Sequence, residues 1–272
     1  MNKSKFAKAL IYLGAIITFS TLGFIILFVL VKGIPYISLD LFSWNYTSEN
    51  VSLMPSLITT IYVIGGSLLI AGPIGIFTSI YLVEYADRSK LIVKLIAMAT
   101  DTLAAVPSIV YGLFGFLFFV SYLNLQFSLL AGIATTTIMI LPLIIRSTEE
   151  ALLSIDPSLR AASFALGAGK LRTIFKVILP VAIPGILSGV ILATGRIIGE
   201  SAALIYTLGS SSNLPNSLLA SGRTLAVHMY VLSSEGFHVN EAYATAVVLL
   251  VLVLLLNGMS TMLGRKLSKG GK

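Results

Sequence analysis

Two charged residues, Arg196 and Glu200, stand inside a long apolar segment of the sequence. A charge at the centre of a bilayer costs about 2.5–3.5 kcal/mol on insertion scales, so two charges in one segment need a reason. Four residues apart in a helix, they would share one face and partly neutralise each other. They are either a structural ion pair inside a helical bundle or part of an anion path. In an anion path, the Arg196 guanidinium would bind the oxygens of an oxyanion, and the Glu200 carboxylate would orient the guanidinium or release it.

The composition places this segment in a membrane protein. Of the 272 residues, 57% are hydrophobic and 11% are charged, whereas soluble chains carry about 25% charged residues. The net charge of +7 does not indicate nucleic-acid binding, because no basic stretch is interleaved with exposed aromatic residues. The absence of cysteine excludes disulfides, thiolate metal sites and cysteine nucleophiles. His228 and His238 match no common two-histidine metal motif, and we expect both to be isolated loop residues.

Six segments are apolar over about the 20 helical residues that a bilayer core requires. The first resembles a signal peptide, but it is long enough to span and no small-residue cleavage pattern follows it. Pro107 and Pro142 predict irregular helices packed inside a bundle. We therefore expect an all-α, polytopic membrane protein with a single domain over residues 1–272. The predicted spans lie near 9–31, 57–82, 104–122, 127–145, 183–207 and 243–263.

The basic residues predict the orientation, because Lys and Arg beside membrane spans stay in the cytoplasm. If both termini are cytoplasmic, only Lys32 and Arg223 among these flanking residues fall outside. The cytoplasmic side then holds Lys3, Lys5, Lys8, Arg88, Lys90, Lys94, Arg146, Arg160, Lys170, Arg172, Lys176, Arg265, Lys266, Lys269 and Lys272. We expect a multi-pass protein of the inner or plasma membrane.

Two predicted outer segments, near 33–54 and 208–241, are longer than turns. The first carries Tyr36, Trp44 and Tyr46, whose amphipathic rings suit the headgroup level of a membrane. The second is rich in Gly, Ser and Asn and suits a surface that meets a soluble partner.

The one long cytoplasmic loop, residues 146–180, carries the signals of a helical hairpin. Asp156 followed by proline predicts a helix start, with the carboxylate as cap and proline at the first helical position. Gly167 predicts the stop, because glycine adopts the left-handed conformation without a steric penalty. A second helix would run from about residue 168 to a break at Leu179-Pro180. Such a hairpin either only holds the topology or is a handle for another protein.

The hairpin resembles the cytoplasmic signature of binding-protein-dependent ABC importer permeases. That pattern is Glu-Ala-Ala, three residues, Gly, nine residues, Ile, one residue, Leu-Pro. The matching residues here are Ala161, Ala162, Ser163, Gly167, Val177, Leu179 and Pro180. Ala161 stands where the family usually has Glu, and Val177 replaces Ile. The resemblance implies a type I importer permease fold whose hairpin is a coupling helix docked in a cleft of an ATP-hydrolysing subunit.

The chain itself is not expected to bind nucleotide or to be an enzyme. Residues 167–170 superficially resemble a phosphate-binding loop, but Leu171 occupies the position that needs Ser or Thr for magnesium. Phe164 likewise replaces the leading glycine. We therefore expect no cofactor on this chain, with ATP and Mg²⁺ bound by partner ATPase subunits.

Two intramembrane segments are similar to those of phosphate-transport permeases of the PstA type. Gly199-Glu200-Ser201-Ala202 matches their Gly-Glu-Thr-Ala, and residues 105–115 match their proline-containing segment. The resemblance implies that Arg196 and Glu200 lie on the anion path. It further implies a second homologous permease, two ATP-binding subunits and an extracytoplasmic phosphate-binding protein, with transport by alternating access.

Three alternatives remain open from the residues. Another oxyanion, such as molybdate or sulfate, would suit the same arginine chemistry. An ion-coupled secondary transporter would also hold Arg196 and Glu200 in a bundle, but it would need no hairpin and usually has inverted repeats. An intramembrane enzyme is disfavoured, because no paired aspartates, zinc-ligand histidines or Gly-X-Ser-X-Gly motif is present.

Overall fold

The computed structural model describes residues 2–87 and 89–269, and within these ranges every regular element is helical. The predicted all-α class is therefore confirmed. The α-helices are α1 (Asn2–Gly33), α2 (Met54–Ile80), α3 (Leu91–Ala105), α4 (Ser108–Gly115), α5 (Leu129–Leu153), α6 (Pro157–Ala165), α7 (Lys170–Thr173), α8 (Leu179–Ile198), α9 (Ala202–Thr207), α10 (Leu225–Glu235) and α11 (Val239–Lys269). Short 3₁₀ turns lie at Ile34–Tyr36 and Leu39–Phe42, and π-helical turns lie at Tyr81–Tyr85, Phe116–Tyr122 and Ile174–Ile178.

Some residues that predict the orientation fall outside this description. Arg88 and Lys272 lie outside the described residues, as do the side chains of Lys3, Lys5, Arg265, Lys266 and Lys269.

Five helical stretches in the described chain are long and apolar enough to cross a membrane. They are Leu10–Tyr36, Met54–Tyr85, Leu129–Leu153, Lys170–Ile198 and Val239–Met262. A sixth crossing exists if the bent pair Leu91–Ala105 and Ser108–Tyr122 counts as one span. Apolar length in five or six separate helices is the signature of a polytopic membrane protein.

The predicted third span, near 104–122, belongs to a bent pair of helices, and the irregularity predicted at Pro107 is confirmed. α3 and α4 meet at 103° across Val106 and Pro107. Proline disfavours the helical conformation of the preceding residue, and Val106 is extended. The Tyr111 hydroxyl donates a hydrogen bond to the Leu103 carbonyl at 2.6 Å, across this bend. The limb Ser108–Tyr122 is only about 22 Å long at 1.5 Å per residue, short of the roughly 30 Å bilayer core.

α5 forms the centre of the bundle and packs against α2 and α8. Its Met139, Ile140 and Ile144 side chains are buried in the largest apolar cluster. Hydroxyl groups join α2 to α5 inside this layer: Ser67 Oγ lies 2.5 Å from Thr136 Oγ1, and Ser79 Oγ donates to the Ile145 carbonyl at 2.8 Å. Hydrogen bonds of this kind hold helices together where lipid supplies no hydrophobic driving force.

α10 lies in the second predicted outer segment and buries His228 completely. The expectation of an isolated loop residue was therefore wrong for His228, whereas His238 does precede α11 in a loop. Tyr46 packs edge-on against the His228 ring, with centroids 6.3 Å apart. The Arg223 guanidinium lies over the same Tyr46 ring at 4.7 Å. Tyr46 thus packs inward, while Trp44 is 67% exposed and free to meet the membrane surface.

Candidate functional site

The predicted fifth span is interrupted at the residues that carry the intramembrane charges. We expected a helix over 183–207, but α8 ends at Ile198 and α9 starts at Ala202. Glu200 lies in the gap, and its Oε1 accepts a hydrogen bond from the Ala203 amide at 2.9 Å. This bond satisfies one of the free amides at the start of α9. The carboxylate therefore competes with continuation of the helix.

The interruption separates the roles of Arg196 and Glu200. They do not share one helical face as predicted, and the described chain contains no ion pair between them. Glu200 is buried, with 7% of its surface exposed. Arg196 is half-buried in the last turn of α8, where the helix dipole favours a positive charge. No hydrogen bond or ion pair joins the Arg196 side chain to any residue that the structure describes.

The two segments similar to phosphate-transport permeases pack against each other. α4 lies on α9 so closely that a Cβ added to Gly112 would stand 2.8 Å from Ala203 Cα. Gly115, one turn on, is also crowded, since an added Cβ there would meet the side chains of Thr135 on α5 and Thr207 on α9. Small residues permit such backbone contact between membrane helices. Tyr111 also lies close enough to Arg196 for the two to interact electrostatically.

A cavity of about 330 Å³ borders the same break on the side of α10 and α11. Gly199 and Ser201 contribute to its wall, together with Met229, Tyr230 and Tyr243. Neither Arg196 nor Glu200 lines it, and its surface is mainly apolar. The residues that line this cavity therefore include no positive charge that would attract an anion. Among the described residues no group of three His, Asp or Glu side chains is arranged to hold a metal.

The predicted hairpin start and stop are confirmed. Asp156 accepts a hydrogen bond from the Ser158 amide at 2.8 Å, and Pro157 is the first residue of α6. This bond lowers the pKa of the Asp156 carboxyl. α6 ends at Ala165, and Gly167 has a φ of +81°. That left-handed conformation is the one for which glycine was expected.

The boundaries of the loop differ from the prediction at both ends. α5 continues to Leu153, so the first part of the predicted 146–180 loop belongs to a span. The second arm does not break at Leu179-Pro180 but runs on as one helix from Lys170 to Ile198. The π-helical turn Ile174–Ile178 comes immediately before the proline. A proline ring is tolerated where such a turn rearranges the hydrogen bonds that it disrupts.

The residues of the coupling signature divide into exposed and packed positions. Ala161 and Ala162 are exposed, and the tip next to them presents Leu166, which is 90% exposed. Ser163 is buried, and its hydroxyl lies 2.9 Å from that of Thr173 on the second arm. Leu179 and Pro180 lie in α8, beyond the hairpin.

Sequence reasoning missed two contacts that attach the hairpin to α2. Arg160 donates to Glu84 from Nε and Nη2, at 3.0 and 2.8 Å. The Lys170 ammonium lies 4.4 Å from the centre of the Tyr85 ring. One signal was available, because Glu84 is the only acidic residue in the span Met54–Tyr85.

The chain is similar to known transport proteins in its sequence. The family model for "Binding-protein-dependent transport system inner membrane component" matches residues 71–269. The chain is 30% identical to the probable ABC transporter permease protein YqgI of Bacillus subtilis, over 97% of this chain and 96% of that protein. It is 33% identical to the phosphate transport system permease protein PstA of Haemophilus influenzae, over 93% and 91% of the two chains.

The fold also matches a solved structure. A chain of the bacterial alginate ABC transporter, crystallised with an alginate pentasaccharide-bound periplasmic protein, superposes with a TM-score of 0.72 at 16% identity. The match covers 98% of this chain and 96% of that one. The fold is thus that of type I ABC importer permeases. The chain belongs to the family of binding-protein-dependent transport system inner membrane components, and it is a multi-pass permease subunit of an ABC importer.

Proposed function

We propose that this permease imports phosphate. It would form half of the translocation path beside a second, homologous permease. Two ATP-binding subunits would drive it, and an extracytoplasmic phosphate-binding protein would deliver the anion. The 33% identity to the PstA protein of Haemophilus influenzae over most of both chains supports this choice of substrate. ATP and Mg²⁺ would be bound by the ATPase subunits and not by this chain.

The observation that carries the proposal is the unpaired Arg196 beside a helix break. A half-buried guanidinium without a protein partner is costly inside a membrane and therefore suggests a ligand or a water-filled path. The planar fork of donors matches the oxygens of a tetrahedral oxyanion. Broken helices within membranes are tolerated where they line a cavity. Arg196 would bind the anion in passage, and Glu200 would keep the break open by capping α9.

The hairpin supplies the coupling in this proposal. Ala161, Ala162 and Ser163 belong to α6, and Gly167 forms the bend at its end. The exposed apolar tip suits a cleft in an ATPase subunit. Leu179 and Pro180 would pass the movement of the hairpin into α8. Both termini would be cytoplasmic, as the distribution of basic residues predicts.

The proposal is tested by uptake of radiolabelled phosphate into proteoliposomes that contain the complete complex. We expect ATP-dependent uptake of the labelled phosphate. Excess unlabelled phosphate should suppress this uptake, whereas sulfate or molybdate at the same concentration should leave it unchanged. Suppression by sulfate or molybdate with equal potency would contradict selectivity for phosphate. Absence of phosphate uptake, with uptake of another oxyanion, would replace phosphate by that anion.

A further inference from the structure

The hairpin is fixed to α2 by side chains from both of its arms. Arg160, on α6, donates to Oε1 of Glu84 from two nitrogens. Lys170, at the start of α7, lies over the ring of Tyr85. Glu84 and Tyr85 are adjacent residues of the π-helical turn that extends α2. Both arms therefore hold the same turn, at the end of one span.

Arg160 also ties this turn to α5. Its Nη2 donates to the Leu152 carbonyl at 3.0 Å, and its Nη1 donates to the Ile155 carbonyl at 3.2 Å. Leu152 belongs to the last turn of α5, where helix carbonyls have no partner inside the helix. The guanidinium thus joins α6, α2 and α5 with four hydrogen bonds.

The Arg160–Glu84 pair is shielded from solvent, with 20% and 9% of the two side chains exposed. Solvent and salt weaken such a pair much less than they weaken a surface salt bridge. Removal of one partner would leave the other charge uncompensated in a partly buried place. Within the described ranges, no other salt bridge joins the hairpin to a membrane span.

The hairpin itself is braced between its arms. Ser163 and Thr173 hydroxyls meet at 2.9 Å in its buried interior. A second π-helical turn, Ile174–Ile178, leads from the hairpin into α8. π-helical turns are frequent at functional sites, where they interrupt the regular hydrogen bonds of a helix.

A movement of α2 would reach the candidate path through α5. Ser79 of α2 donates to the Ile145 carbonyl of α5, and Gly75 lies against Ile144. α5 in turn packs on α8 and α9, which flank the break at Glu200. The chain of contacts from the hairpin to the path is therefore continuous.

We propose that Arg160 and Glu84 are positioning residues that make the hairpin and the end of α2 one rigid unit, so that ATPase-driven movement of the hairpin passes into α2. This inference rests on the proposed coupling of the hairpin to an ATPase.

The test measures rigidity directly. The chain has no cysteine, so spin labels attach to this subunit only at introduced sites. Phe77→Cys on α2 and Ala165→Cys on α6 place labels at two exposed positions. In the complete complex, the distance between the labels is expected to be the same with and without trapped ATP. In the additional presence of Glu84→Gln, the distance should differ between the two states or broaden.

Transport gives the second readout. Glu84→Gln and Arg160→Lys are expected to lower phosphate uptake per ATP hydrolysed by about tenfold. The exchanged pair Glu84→Arg with Arg160→Glu should recover part of that loss. Asp87→Asn is the matched control, because Asp87 is exposed and, among the described residues, only Ser89 donates hydrogen bonds to its carboxylate.

Two results of the distance measurement would overturn the inference. One is a label distance that changes with ATP in the native complex, and the other is a Glu84→Gln distribution that matches the native one in both states. Equal losses of uptake and ATPase activity, without recovery in the exchanged pair, would also contradict it. If the native complex moves no phosphate, the proposed substrate fails, but the label distances still decide whether the pair is a rigid link.

Discussion

Gly112 of α4 lies against Ala203 of α9 with no room for a side chain between them. The two residues belong to separate parts of the sequence, and their contact presses the proline-containing segment against the broken span. The glycine therefore sets the distance between the proline-containing segment and the helix that follows the break.

Gly112→Ala is predicted to destabilise this contact. A Cβ there would stand 2.8 Å from Ala203 Cα, a backbone atom that cannot rotate away. Overpacking of this kind costs about 1–3 kcal/mol, so the thermal unfolding midpoint and the uptake rate should both fall. Gly65→Ala on α2 is the control, because a Cβ there meets no atom within 4 Å. Equal midpoints for the two variants would contradict the prediction.

Gly167→Ala is predicted to impair the coupling of ATP hydrolysis to uptake without causing a steric clash. No atom lies within 4 Å of an added Cβ, so the whole effect comes from the φ of +81°. A left-handed alanine costs about 1–2 kcal/mol, which should distort the hairpin and lower ATP-driven uptake. Gly167→Asn should retain more activity, since asparagine tolerates this conformation better.

Gly169→Ala provides the matched comparison for Gly167. Gly169 is also open to solvent, but its φ of −72° suits any residue. Uptake should therefore stay at the native level. If Gly167→Ala and Gly169→Ala couple ATP hydrolysis to uptake equally well, the bend is not needed for coupling.

Two substitutions of Glu200 are predicted to separate its charge from its capping role. Gln keeps an oxygen that accepts from the Ala203 amide, so Glu200→Gln should retain the native unfolding midpoint. It removes the negative charge that would orient or release the Arg196 guanidinium on the path, so uptake should fall. Glu200→Ala removes the cap as well and should cost about 1 kcal/mol of stability. Thermal unfolding and uptake of both variants check this. Native uptake in Glu200→Gln would show that only the cap matters.

His228 is predicted to make the protein less stable in mild acid. Burial first, and the charge of Arg223 second, lower the pKa of His228 to about 3, partly offset by the nearby Val51 carbonyl. Between about pH 6.5, the usual value for unfolded histidine, and pH 3, the unfolded chain binds a proton that the folded chain does not. The free energy of unfolding should therefore decrease as the pH is lowered through this window. This residue contributes at most about 1.4 kcal/mol per pH unit to that decrease.

The check is the unfolding midpoint of the purified protein between pH 7.5 and pH 5. His228→Phe should reduce the loss at low pH, whereas His238→Gln, at a half-exposed position, should leave it unchanged. If the unfolding midpoint depends on pH equally in the native protein and in His228→Phe, the prediction is contradicted.

Much of the fold was predictable, because the length of an apolar segment and the signals that start and stop a helix are local properties of the sequence. Asp156-Pro157 and Gly167 each fix the backbone within a few residues, and the structure has the helix end points that they predict. The break in the fifth span was not predictable from periodicity. Gly199, Glu200 and Ser201 could also lie within a continuous span, but the helix ends there because Glu200 turns to cap α9 and α9 packs on Gly112.

The contacts that join distant segments were also beyond sequence reasoning. Glu84 and Arg160 are 76 residues apart, and only the packing of α2 beside α5 brings them together. The burial of His228 depends in the same way on Tyr46, from the other outer segment. An isolated polar residue in the sequence does not reveal which distant segment will cover it.

The most direct test of the phosphate path compares native protein with Arg196→Gln at matched abundance in the complete complex. Removal of one charged partner of an anion costs about 2–5 kcal/mol, so uptake of radiolabelled phosphate should fall by more than tenfold while assembly and basal ATPase activity persist. Lys32→Gln, which removes an exposed positive charge, should transport at the native rate. Native uptake by Arg196→Gln would contradict the account and leave Arg196 with a structural role alone.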